Sequence, residues 1–211
     1  MPKLDPKKMQ ERVRRIQEAA RALFTRRGFH GVGLRDIADE AGVSLGNIYN
    51  YFSGKEPIFA SLVERLYAEF LADSEPLAEV IRSGRFPDDL EAMGDAIGEM
   101  VDRHADYLTL VYVDIAEFDG KHVRPHYENL AAKFDFAMKA RFDELRKERS
   151  LPIDPAVAFT LIYMQFSNYF IVERLIGARH LGLDHRDSIR AIAKLFTEGL
   201  RPRPKTKRKK K

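Results

Sequence analysis

Gly28-Phe-His-Gly-Val-Gly-Leu-Arg-Asp-Ile-Ala-Asp-Glu-Ala-Gly-Val-Ser-Leu-Gly-Asn-Ile-Tyr-Asn-Tyr-Phe-Ser-Gly-Lys-Glu-Pro-Ile-Phe59 is the stretch that decides the fold. Leu34, Ile37 and Ala38 form an apolar face on a helix of two turns, expected over Leu34–Ala41. Ala38 and Ala41 are small, as the close crossing of two helices requires. Gly42 suits the left-handed backbone of a tight interhelical turn, and Val43 can anchor that turn. Ser44 is a natural N-cap for a third helix, expected over Leu45–Tyr51. In that helix Ile48 and Phe52 are four apart and predicted to face inward. Leu45, Asn47, Asn50 and Tyr51 are left near or on the outside. No acid occurs from Gly42 to Lys55. A short helix that exposes small polar groups and tyrosine, without acids to repel phosphate, is shaped to enter a DNA major groove.

Upstream, Val13, Ile16, Ala20, Leu23 and Phe24 make one stripe at helical period, predicting a helix over Arg12–Arg26. Gly28 ends it, with Arg26 and Arg27 in its last turn. Downstream, a longer helix begins near Lys55, with Pro57 in its first turn. Further helices are expected at Asp88–His104, Ala105–Phe118, Val123–Arg149, Asp154–Ala178 and His185–Gly199. No stretch alternates apolar and polar residues with β-branched enrichment, so the fold class is all-α.

Composition narrows the function classes. The chain has 211 residues, 45% of them hydrophobic, enough for a substantial core. It has no cysteine, which excludes disulfides, thiolate catalysis and zinc–thiolate sites. The N-terminal segment has no apolar stretch of the kind a signal peptide needs, so the expected compartment is the cytoplasm. Charge is unevenly laid out. Residues 1–52 carry a net +4, residues 53–200 carry −8 and residues 201–211 carry +8. A basic start and a basic Pro/Lys/Arg-rich tail point to a polyanion partner or to solubility alone. The tail is expected to be disordered.

The central block resembles the TetR family of bacterial transcriptional regulators. The matching residues are Ala22-Leu23-Phe24, Gly28-Phe29, Ile37-Ala38, Ala41-Gly42-Val43-Ser44, Ile48-Tyr49, Tyr51-Phe52 and Lys55-Glu56. They cover about residues 12–60; beyond them the likeness is one of length and helical content. The resemblance implies a helix-turn-helix DNA-binding domain over residues 1–54. It implies an effector-binding and dimerisation domain over residues 55–200, ahead of the tail at 201–211. Carried over by position, Tyr49 and Lys55 contact phosphate, and Ser44, Leu45, Asn47 and Asn50 lie at or near base edges. Tyr51 belongs to the same surface, and Arg35 reaches the DNA backbone. Asn47 and Asn50 each offer a donor and an acceptor, which adenine's major-groove edge matches. One position departs from the family, which usually has Thr or Ser where this chain has Val32-Gly33. Gly33 has no side-chain oxygen, so a phosphate contact there is lost or made by backbone N–H.

The resemblance further implies a homodimer formed by the last two helices, acting as a repressor released from a palindromic operator by a small molecule. Between Asp154 and Glu173 no residue is charged, but Thr160, Gln165, Ser167 and Asn168 interrupt the run and no second one is comparable, so no membrane span is expected. Aromatic residues crowd the middle helices and suit a hydrophobic or aromatic effector. Met100, His104, Tyr112, Phe134, Met138, Tyr163 and Phe166 are the candidate pocket residues. No cofactor is expected. His122 and His126 are four apart, but Arg124 would repel a cation, so no metal is expected either. Gly28-x-x-Gly31-x-Gly33 has the wrong spacing for a dinucleotide loop, and no catalytic constellation stands out. An all-helical enzyme and a non-specific architectural DNA binder are the alternatives.

Overall fold

A computed structural model describes residues 6–200 except 74, 84, 149, 178 and 180. The expected disordered tail therefore lies outside the described residues. The helices are α1 (Pro6–Arg27), α2 (Leu34–Ala41), α3 (Leu45–Tyr49), α4 (Lys55–Ala72), α5 (Glu75–Arg82), α6 (Leu90–Arg103), α7 (Ala105–Phe118), α8 (Arg124–Tyr127), α9 (Leu130–Ala137), α10 (Lys139–Glu148), α11 (Pro155–Ile176) and α12 (His185–Leu200). The described residues contain no strand, so the all-α class holds. Several boundaries differ from those expected. The helix expected over Val123–Arg149 is three helices, broken where Asn129 takes a left-handed backbone at φ 58° and where Met138 leaves helical geometry at φ −112° and ψ 21°. The helix that starts at Lys55 ends at Ala72, and α5 follows separately.

The helices fall into two compact units. The first holds α1–α4, α7 and α8; the second holds α5, α6 and α9–α12. The expected domain boundary at residue 54 thus falls inside the first unit, where α4 and α7 complete the core beneath the reading helices. In that unit α1 packs on α2, α4 and α7. Ile16, Ala20, Leu23 and Phe24 of α1 are buried, as their spacing predicts. They meet Ile37 and Ala38 from α2, Ile48 from α3 and Ile58, Phe59 and Leu62 from α4 in the unit's core. Each large side chain buried this way contributes about 1.5–3 kcal/mol before entropy is charged against it. Polar ties fix the helix register. Gln17 Nε2 donates to Ser61 Oγ at 2.6 Å and to Ser61 O at 3.1 Å. Arg65 joins Glu18 and Glu69 at 2.8 and 2.9 Å.

In the second unit α6, α9, α10 and α12 pack on α11. Gly94 and Gly98 of α6 lie one turn apart and let the neighbouring helices close in. A Cβ at Gly94 would stand 2.8 Å from both Ile189 Cγ2 and Phe166 Cε1, and one at Gly98 would stand 3.1 Å from His185 Cε1. A second cluster joins Phe86, Phe134, Phe142, Phe159 and Tyr163, with ring centroids 4.7–6.0 Å apart. Asp154 caps α11 by accepting from Ala156 N at 2.9 Å, and Arg146 donates to it at 2.8 Å. The same guanidinium reaches Asp135 at 2.6 Å and Asp143 at 3.1 Å, binding α9, α10 and the start of α11 together. α11 is the one helix among the described residues long and apolar enough to cross a bilayer by length and composition. It buries Phe159, Ile162, Phe166, Tyr169 and Phe170, and leaves Val157, Leu161, Met164 and Leu175 exposed.

Candidate nucleic-acid interface

The reading element is built from α2, its turn and α3. Gly42 sits at φ 63° and ψ 40°, the left-handed conformation that its position after α2 predicts. Val43 N donates to Ala38 O at 2.9 Å, closing the turn. Arg15, reaching across from α1, donates to Ala41 O at 2.9 Å. A cation at the carbonyl end of a helix also suits the macrodipole. Ser44 caps α3 as predicted, its Oγ accepting from Asn47 N at 3.2 Å. α3 is two residues shorter than expected, but Tyr51 N and Phe52 N both donate to Ile48 O at 2.9 Å, so the chain keeps turning in the same sense.

Ile48 and Phe52 are buried and face the core. Opposite them, Ser44, Tyr49 and Asn50 are exposed, with Tyr49 at 55%. Leu45, Asn47 and Tyr51 are half-buried on the flanks of this face. The Asn47 Oδ1 atom is shielded from solvent and has no donor among the described residues. Arg35 is exposed in the first turn of α2. Six of the eight expected DNA-contact residues thus lie on α3 and its margins, and Arg35 lies on α2.

Lys55 is the eighth, and its side chain is turned inward. Its ammonium donates to Phe29 O and to Val32 O, both at 2.7 Å, and lies 4.1 Å from the centroid of the Phe29 ring. Burial lowers its pKa from the ordinary lysine value, and the carboxylates of Glu117 and Asp36 pull it back up. The loop it grips, between α1 and α2, ends at Gly33. Gly33 N donates to Asp36 Oδ2 at 2.7 Å. The backbone N–H that stood in for the missing Thr or Ser as a phosphate donor is therefore already engaged. The far side of the loop is held by the end of α7. Phe29 packs edge-on against Phe118 with centroids 4.7 Å apart, and His30 Nε2 lies 2.6 Å from Glu117 Oε2. Sequence reasoning missed Arg15, Glu117 and the inward role of Lys55. Their partners are backbone carbonyls and loop residues far along the chain, and no local spacing signals them.

The seven candidate effector residues are divided between the two units. His104 and Tyr112 belong to the first unit, with Tyr112 41% exposed. Phe134, Met138 and Tyr163 lie in the second unit, Phe134 and Tyr163 within its aromatic cluster, and Met100 and Phe166 are buried on α6 and α11. Open clefts of about 470 Å³ lie between α1 and α2 and beside α6 and α12, and none of the seven lines either. His122 and His126 turn to different partners. His122 Nδ1 lies 2.5 Å from the fully buried Asp114, whereas His126 Nδ1 lies 3.0 Å from the Tyr107 hydroxyl, with its ring stacked 3.6 Å from that of Tyr67.

A two-turn helix, a left-handed glycine turn and a capped helix with an acid-free outer face define a helix-turn-helix DNA-binding protein. Residues 16–62 match the family model described as bacterial regulatory proteins, tetR family. The chain is 30% identical over 192 residues to the HTH-type transcriptional repressor SCO4008 of Streptomyces coelicolor, covering 87% of this chain and 94% of that protein. It is 35% identical over 78 residues to the HTH-type transcriptional regulator YfiR of Bacillus subtilis, a match that spans 37% of this chain and 38% of that protein. Among solved structures, a TetR-family transcriptional regulator from Mesorhizobium loti superposes with a TM-score of 0.61 at 19% identity, covering 92% of this chain and 98% of that one. The chain belongs to the TetR family of bacterial transcriptional regulators. Its relatives are regulators of transcription, not enzymes.

Proposed function

We propose that this regulator is a cytoplasmic, homodimeric repressor that binds a palindromic operator and is released from it by a small hydrophobic or aromatic effector. The observation that carries the DNA-binding part is the outer face of α3. Tyr49 stands out from it with its hydroxyl available to a phosphate. Ser44, Leu45, Asn47, Asn50 and Tyr51 surround it at the height of base edges, and Arg35 flanks it toward the DNA backbone. Lys55 is left out of this set because its ammonium is bound to two carbonyls. Residues 1–54 supply the reading domain in this scheme, residues 55–200 supply sensing and dimerisation, and residues 201–211 add phosphate contacts.

Dimerisation through the last two helices is supported by the exposed stripe on α11, Val157, Leu161, Met164 and Leu175, and by Leu195 of α12, which is 70% exposed. A run of large apolar side chains left in water is what an unfilled subunit interface presents. Two copies would set their recognition helices about 34–36 Å apart, one turn of DNA. An effector that favours another spacing would lower operator affinity through a coupling of a few kcal/mol. The deciding experiment is selection of bound duplexes from a random pool by the full-length protein. A palindromic consensus is expected. Binding without any consensus would refute the reading in favour of non-specific binding.

A further inference from the structure

We propose that Lys55 is a positioning residue of the DNA-reading head and not a phosphate ligand: its ammonium fastens the loop before α2 in the place of a side-chain cap. This rests on the DNA-binding reading above and concerns what holds the reading surface in place.

The geometry leaves the ammonium little freedom. Two of its three N–H bonds are spent on Phe29 O and Val32 O at 2.7 Å each, and the Phe29 ring covers it at 4.1 Å. Both carbonyls belong to a loop that lies outside any helix, where backbone oxygens shielded from water need partners; Val32 is 1% and Phe29 8% exposed, and the only other bond to Phe29 O among the described residues is a long one from Val32 N at 3.4 Å. A charged donor makes the strongest available bond to each. The loop leads directly into Gly33, which brings no hydroxyl to the start of α2, and the Gly33 N–H is met by Asp36 instead. The direction in which α2 leaves the loop therefore depends on how firmly the loop is held. Lys55 holds it from α4, and Phe118 and Glu117 hold it from α7. With two N–H bonds spent and the Phe29 ring over the ammonium, a phosphate would find at most one donor there.

The test uses the full-length protein and the duplex recovered by the selection described above. Lys55→Met is compared with wild type by fluorescence anisotropy across a range of salt concentrations. A lysine that neutralises a phosphate gives up about one unit of the slope of log K against log salt for each protomer when it is removed. The positioning role predicts an operator affinity lowered about tenfold with the slope unchanged. A slope reduced by about one per protomer, or an affinity that does not change, would overturn it. Should Lys55→Met fold poorly, reductive methylation of the wild-type protein, mapped by mass spectrometry, decides the matter. Lys55 is expected to react far more slowly than the exposed Lys8 in the free protein, and equally slowly with duplex bound. Rapid reaction in the free protein with protection only on DNA would overturn the proposal. Failure of the wild type to select any consensus would count against the DNA reading itself, and the methylation pattern would still judge the fastening.

Discussion

At the scale of single residues, the proposed reading surface would separate groups that give affinity from groups that give choice. Tyr49 is 55% exposed and makes no packing contribution comparable to that of its buried neighbour Ile48. Tyr49→Phe is expected to leave the unfolding midpoint in place while lowering affinity by a few-fold on consensus and scrambled duplexes alike, because a phosphate contact carries no sequence information. Asn50→Ala is expected to weaken only the consensus, narrowing the ratio between the two. Competition binding with both duplexes checks the pair of variants, and a consensus-only effect at Tyr49 would reverse the assignment. Much of this surface was legible in the sequence. Gly42, Ser44, Ile48 and Phe52 are each specified by a local rule of turn, cap or helical spacing, and each occupies its expected place. Lys55 was not legible, because a lysine at the start of a helix reads the same whether it faces a phosphate or a carbonyl.

At the scale of elements, helices are as predictable as their ends are marked. α2 and α7 have the expected boundaries, since glycine or an Asp-Gly pair closes each. α1 begins six residues before the expected Arg12 because Pro6–Glu11 is an exposed run of helix-forming residues without an apolar stripe. The breaks at Asn129 and Met138 lack a glycine or proline to announce them. α11 begins at a marked end, where Asp154 serves both as N-cap and as partner of Arg146. The Arg146 guanidinium holds the Asp154 carboxyl below the usual carboxylate range, against a smaller opposing effect of burial. A carboxyl whose pKa is lower in the folded than in the unfolded chain stabilises the fold above its unfolded value, about 3.9, and that gain is lost as pH falls through the folded value. Loss of the N-cap in Asp154→Ala is expected to cost about 1 kcal/mol near neutral pH. The gap to wild type should shrink as the solution is acidified below the unfolded value. Urea unfolding at a series of pH values measures it, and a gap that widens in acid would be the wrong sign.

At the scale of the whole molecule, assembly and charge decide behaviour in solution. The α11 stripe and Leu195 put large apolar side chains in contact with water. Leu161→Asp is expected to shift the protein from dimer to monomer in light scattering and to weaken operator binding, since one reading head alone spans half a palindrome. An unchanged mass would move the interface elsewhere. The all-helical class and the family were legible from the reading block alone. Pocket residues are harder to read, because aromatic residues that fill a core and those that line a pocket carry the same pattern: Phe134 and Tyr163 pack with Phe86, Phe142 and Phe159.

The two glycines of α6 bear on how sharply a sensor of the proposed kind would respond. With Ile189 and Phe166 each 2.8 Å from where a single methyl at Gly94 would stand, α6, α11 and α12 leave no room for one at that point. On the proposed sensing role, a molecule inserted at that point would first have to prise the helices apart, and its apparent affinity would be its intrinsic affinity scaled by the small fraction of protein already open. The tightness at Gly94 would then act as a threshold, deaf to traces of effector and tunable by any substitution that loosens the seam.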